Sequence, residues 1–121
     1  MTRVLVCGGR RYADDRHVNR VLDEIDSERG PITIIEGGAH GADELAYRWA
    51  RSRKRPHIQV VAEWSQHGRA AGPIRNQRML EEHRPDLVVA FPGGVGTADM
   101  VRRAQAAGVP VMLTSSTEPT Q

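Results

Sequence analysis

The stretch LVVAFPGGVGTADM, residues 87–100, passes from five apolar residues into a turn holding three glycines and a proline, and then into a helical pattern. Leu87 to Phe91 has no in/out alternation, which marks a strand covered on both faces inside a parallel sheet. Gly93, Gly94 and Gly96 lose more backbone entropy on folding than other residues and add no side-chain packing. That cost calls for an offset. Glycines at the start of a helix supply one, because they let a ligand or a neighbouring segment approach N–H groups that have no partner within the helix.

The same unit of strand, glycine turn and helix recurs along the chain. Val4 to Cys7 leads into Gly8-Gly9-Arg10-Arg11, and Ile32 to Ile35 leads into Glu36-Gly37-Gly38-Ala39-His40-Gly41-Ala42-Asp43. Ile58 to Val61 and Val109 to Leu113 complete five β-branched runs. Val18, Val21, Leu22 and Ile25 recur at helical spacing and stop at Gly30-Pro31, while Ala42, Leu45, Ala46 and Trp49 repeat the stripe. A third helix is expected from Gly72-Pro73 to about His83, with the proline in its first turn. A fourth is expected from about Val95, with Thr97, Val101, Ala104 and Gly108 facing inward.

Strict alternation with short connections predicts a doubly wound α/β sandwich, three layers around a five-stranded parallel sheet. Pro110 demotes the last run to an edge and Gln59 marks the third run as the other edge, so the expected order is 3-2-1-4-5. One domain over residues 1–113 is expected, followed by a polar tail over 114–121.

In that order the three glycine turns follow the three central strands and meet where the winding reverses, the crevice in which open α/β sheets bind ligands. Gly8, Gly9, Arg10, Gly37, Gly38 and the Gly93-Gly94-Val95-Gly96-Thr97 turn therefore form a candidate anion site. A single glycine pair would be explained by a tight turn alone; three converging pairs favour a ligand. Arg75 and Asn76 fall in the first turn of the third helix, where a cation opposes the helix dipole, and Arg75 reads as a phosphate or carboxylate ligand. Two readings stand for Asp43, hydrogen bonding to ribose hydroxyls or to backbone amides, with Glu36 as a second candidate. Residues 63–76 form a long polar insert in which Trp64 either stacks on a base or packs on the domain.

Composition narrows the classes further. The chain has 121 residues and a formal net charge of +2, too small for a general nucleic-acid binder, although every basic residue except Lys54 is arginine. The single Cys7 ends an apolar run and reads as a packed thiol, consistent with a reducing cytoplasm. Neither a membrane span nor a signal peptide is expected. Gly8-Gly9 lacks the dinucleotide fingerprint and no Walker-type lysine follows a glycine loop. The histidines show no metal-ligand spacing and no serine sits in a nucleophile context, so neither metal nor cofactor is expected. Arg51-Ser52-Arg53-Lys54-Arg55 reads either as a nucleic-acid patch or as cations at the end of the second helix.

CGGRRY, EGGAHGADELAYRWA, HGRAAGPIRNQRML and PDLVVAFPGGVGTADMVRRA, in this order, closely resemble the YspA, cpYpsA-related branch of the SLOG superfamily over about residues 3–113. The resemblance implies a Rossmann-like fold, binding of a nucleotide or nucleotide-derived small molecule, and assembly as a homodimer or larger homo-oligomer. Two related groups imply alternatives. In Lonely Guy phosphoribohydrolases, P-G-G-x-G-T-x-x-E holds a phosphate, and its Glu works with an Arg to cleave the N-glycosidic bond of a nucleoside monophosphate. Pro92, Gly93, Gly94, Gly96 and Thr97 match, and Arg75 fits the arginine, but the Glu position is Met100, which cannot do acid–base work. Asp99, about 100° away around the helix, is the nearest carboxylate and is either a substitute catalytic group or an acid favoured by the dipole. The DNA-processing proteins, which resemble Gly38 to Asp43 in part, imply single-stranded DNA binding, against which stands the scarcity of stacking aromatics.

Overall fold

In a computed structural model, residues 1–115 are described; the expected tail from residue 116 onward lies outside them. The elements are β1 (Thr2–Cys7), α1 (Asp15–Arg29), β2 (Ile32–Glu36), α2 (Ala42–Arg53), β3 (His57–Gln59), α3 (Trp64–His67), a 3₁₀ turn (Gly68–Ala70), α4 (Ala71–His83), β4 (Leu87–Ala90), α5 (Val95–Ala106) and β5 (Val111–Leu113).

All five strands are parallel, in the order β3-β2-β1-β4-β5. The lack of alternation in the strands is explained by two cores. Successive side chains of a strand point to opposite faces. Val4 and Val6 of β1, Ile32 and Ile34 of β2, and Leu87 and Val89 of β4 pack with Val18, Leu22 and Ile25 of α1 and with Ala46 and Trp49 of α2. Leu5 and Cys7, Ile35, and Val88 and Ala90 pack on the other face with Met79 and Leu80 of α4 and with Met100 and Ala104 of α5. Each central strand thus needs apolar residues at every position.

Helix ends follow local chemistry. Asp14 caps α1 by accepting from the His17 N–H, and Gly30 ends it at φ 81°. Neither α2 nor α5 has a side-chain cap; glycines, Gly41 and Gly94, stand at their N-cap positions.

Three local expectations need correction. The third strand is His57–Gln59 rather than 58–61, because beyond Gln59 only the Val60 N–H still bonds to β2, at Glu36 O. The insert is not a loop: α3 and the 3₁₀ turn run directly into α4, which begins at Ala71 with Pro73 in its first turn. The inward face of α5 is Asp99, Met100 and Ala104; Thr97 is only half-buried, and Gly108 is exposed beyond the helix end.

Candidate functional site

β1 pairs with β2 on one side and with β4 on the other, so the chain reverses its winding between β1 and β4. At the carboxyl ends of these strands a cleft of about 670 Å³ opens, within the range usual for small-ligand sites. It gathers Gly8, Gly9, Arg10, Asp43, Arg75, Asn76, Asp99 and the Gly94–Thr97 turn, residues from four segments distant in sequence. Gly37 and Gly38 lie outside it and line a smaller hollow of about 190 Å³, separated from the cleft by Arg10, Trp64 and Arg75, which border both.

The glycines divide into two classes. A Cβ at Gly8 would meet Ala42 Cβ and Phe91 Cβ, and one at Gly9 would press on Pro92 O and Gly93 Cα. One at Gly93 would collide with Thr97 Oγ1 and the Gly9 nitrogen. These three let the β1 and β4 turns touch, a contact tied by the Gly9 N–H donating to Pro92 O at 2.8 Å. Gly94 and Gly96 differ, since a Cβ at either would meet nothing within 4 Å. The tight-turn explanation accounts for the first class. It leaves the second class, at the uncapped start of α5, unexplained.

Arg75 sits half-buried on α4 with Nη1 donating to Gly37 O at 2.5 Å and Nε donating to Asn76 Oδ1 at 3.1 Å. Burial holds its pKa below the usual arginine value, with a contribution from the charge of Arg10, and Asp43 and Glu36 offset this only in part. Among the described residues no carboxylate pairs with Arg10, Arg69 or Arg75, although all three line the cleft. The run at the end of α2 is different: Arg53 and Arg55 are engaged by Asp23 and Asp26, each at 2.7 Å, and Arg51 bonds to Tyr47 Oη. α2 starts at the glycine edge and runs away from it, so these cations lie at its far end.

The carboxylates also separate. Glu36 is fully buried, with Oε1 accepting from the Gly38 N–H at 2.5 Å and Oε2 held by His57 Nε2 at 2.6 Å and Gln59 Nε2 at 2.8 Å. It braces the β2 turn from below and does not reach the cleft. Asp43 does reach it. Both of its bonds among the described residues, from the Gly37 and Ala39 N–H groups at 3.1 and 3.2 Å, fall on Oδ2 and leave Oδ1 without a donor there.

Burial, reinforced by Glu36, pushes the Asp43 pKa up to about 6 against the lowering effect of the two amides and Arg75. The folded protein therefore holds this proton more tightly than the unfolded chain, and the stabilisation is complete below about pH 4 and lost as pH rises through about 6. An Asp43→Asn variant keeps an acceptor for both amides without the buried charge. Chemical denaturation at pH 8 should find it more stable than wild type by up to about 3 kcal/mol, with the advantage vanishing near pH 4.

Asp99 lies on the cleft wall and is buried. Oδ2 accepts from Asn76 Nδ2 at 3.0 Å and Arg103 Nε at 2.8 Å, and Oδ1 accepts from Arg102 Nη2 at 2.9 Å. Burial alone would raise its pKa, but these bonds and the charges of Arg103 and Arg102 outweigh it and hold the group below its usual range. Met100 is fully buried in the core of that face. Cys7 is buried at the cleft floor, where burial and the Asp43 charge push its thiol up to about 12, so it packs as expected.

Sequence reasoning did not select Arg69 and Arg102 for the site. The signal for Arg102 is its position three residues after Asp99, where a long side chain folds back toward the helix start. No comparable local signal exists for Arg69, which reaches the cleft only because the insert is helical.

Known proteins resemble both the sequence and the fold. The Gene 61 protein of Mycobacterium phage D29 is 38% identical over 120 residues, covering 93% of this chain and 95% of that protein. The X-ray structure of TM1055 superimposes with a TM-score of 0.71 at 21% identity over 92% of this chain and 72% of that one. MurG of Acinetobacter baumannii gives a TM-score of 0.63 at 12% identity, over 95% of this chain but 35% of that one, so the two share this architecture within a larger protein. A sequence model of the YspA, cpYpsA-related SLOG family matches residues 2–67, a span that includes β1, β2 and both of their glycine turns. With this match and the near full-length phage relative, the chain belongs to the YspA, cpYpsA-related SLOG family.

Proposed function

We propose that the cleft binds a phosphorylated nucleoside or a nucleotide-derived molecule, with its phosphate against the Gly94–Thr97 turn. One observation carries this reading: Arg10, Arg69 and Arg75, without carboxylate partners among the described residues, line the same cleft as the uncapped start of a twelve-residue helix. A helix start with accessible amides and nearby unpaired guanidinium groups is suited to a multiply charged oxyanion. Asp43 Oδ1, lacking a donor among the described residues, supplies an acceptor for a sugar hydroxyl. Membership of the SLOG family and the Rossmann-like relatives support nucleotide-related binding or processing in general terms.

Binding is favoured over N-glycosidic cleavage by the state of Asp99. A general acid requires a raised pKa, whereas this carboxylate is held down by two arginines and an asparagine that occupy both of its oxygens. Single-stranded DNA binding is disfavoured because the basic run on α2 is spent on Asp23, Asp26 and Tyr47.

Calorimetric titration with nucleoside monophosphates, ribose 5-phosphate and sulfate, paired with chromatography for released base, tests the proposal. Saturable binding of the phosphorylated ligands without free base is expected. Failure of all of them to bind, or stoichiometric release of base, would reject it.

A further inference from the structure

Among the described residues, Trp64 is the only aromatic lining the cleft. It is 47% exposed and opens α3, a helix that buries none of its residues. Its Cη2 approaches Gly72, where an added Cβ would lie 3.5 Å from it. The guanidinium of Arg10 lies over the ring at 5.6 Å from its centroid. The indole is therefore supported by its own domain near one edge and presents a face to a flat, delocalised group. Trp49 contrasts with it, being buried between α1 and α2 with its Nε1 donating to Asp23 at 2.8 Å. An indole with a core role is placed as Trp49 is; Trp64 exposes its area to water at the border of the two hollows instead.

Building on the reading of the cleft as a nucleotide-type site, we infer that Trp64 is its specificity-determining residue, a stacking face that selects phosphorylated ligands carrying an aromatic base over phosphorylated sugars without one. The base takes the place of Arg10 on the ring. Among the described residues Arg10 has no carboxylate partner, and it lines the same cleft as the Gly94–Thr97 turn, so its displaced guanidinium is available to the phosphate. Base and phosphate recognition are thereby coupled. Stacking uses the π-face that every base has, so purines and pyrimidines are both accepted.

The test compares AMP with ribose 5-phosphate on the wild-type protein and on Trp64→Leu and Trp64→Phe. Because Trp49 is buried away from the cleft, a ligand-dependent change in tryptophan fluorescence reports Trp64 alone. The wild type should bind AMP roughly 5- to 100-fold more tightly than ribose 5-phosphate, with a fluorescence change for AMP only. In Trp64→Leu that preference should collapse while affinity for ribose 5-phosphate does not fall, since Arg10 is then free of the ring, and Trp64→Phe should keep most of the preference. Thermal unfolding of both variants should match wild type, since no core contact is removed. A wild type without preference for AMP, a preference that survives Trp64→Leu, or an equal loss for both ligands would overturn the inference while leaving the phosphate site intact. Failure of wild type to bind either ligand would remove the reading of the cleft, and this inference with it.

Discussion

Replacement of Gly94 by valine is expected to lower affinity for a phosphorylated ligand at least 100-fold while the protein stays folded. A Cβ at Gly94 meets nothing within 4 Å, so the first side-chain atom displaces no part of the protein. Gly94 lines the cleft and directly precedes Val95, Gly96 and Thr97, the first residues of α5. If two of their amides each supply a charge-assisted bond of about 1.5 to 3 kcal/mol, excluding the phosphate from them costs about 3 kcal/mol or more, which is a factor of 100 or greater. Stability should fall by only about 1 kcal/mol, because valine is a poorer N-cap than glycine. A melting temperature about 5 °C lower would reflect that loss. Calorimetric titration beside a thermal melt reads both quantities. Unchanged affinity would show that the phosphate does not lie on this turn.

Replacement of Gly41 by alanine should do the opposite and cost the fold. Gly41 sits at φ +78°, a conformation that side-chain-bearing residues rarely adopt, and an added Cβ would strike Gly9 O and the Arg10 carbonyl. Those obstacles are backbone atoms and cannot swing aside. Gly9 O also accepts the N–H groups of Tyr12 and Ala42, at 3.2 Å each, and fastens the β1 turn to the start of α2. Backbone strain of about 1 to 3 kcal/mol and the broken junction together should remove at least about 4 kcal/mol, a large share of the stability of a domain this size. Urea denaturation would show a transition moved to much lower denaturant or an unfolded chain without urea. A melting curve like that of wild type would mean that the two turns are not locked together. The two variants lie on glycine turns of the same crevice, so their contrast separates turn geometry from ligand contact.

The legible part of the molecule is the part written in local pattern. Both faces of Val4–Cys7, Ile32–Ile35 and Leu87–Ala90 are buried, so these strands carry apolar residues throughout and stand out without a partner being known. Pro110 and Gln59 mark the edges, and with the edges assigned the strand order and the crevice follow. Seven glycines and Arg75 could be named as candidates because glycines at strand ends and an arginine opposing a helix dipole are unusual in themselves. The insert was misread for the same reason. Trp64 to Ala70 buries no residue in either of its short helical turns, so it carries no periodic apolar stripe from which a helix is recognised.

From its sequence alone, then, the protein's layered α/β architecture, strand order and glycine-lined rim can be read, because neighbours in the chain determine strand burial and turn chemistry. Tertiary structure decided what each group at that rim does. Glu36 is consumed by His57 and Gln59, more than twenty residues away, while Asp43 keeps an oxygen with no donor among the described residues. Gly93 and Gly41 are filled against the β1 turn, while Gly94 and Gly96 face open space. Arg53 and Arg55 meet aspartates on α1, while Arg10 and Arg75 pair with no carboxylate among the described residues. Whether a charge or a glycine is spent on the fold or left for a ligand depends on partners far along the chain, and only packing brings those partners together.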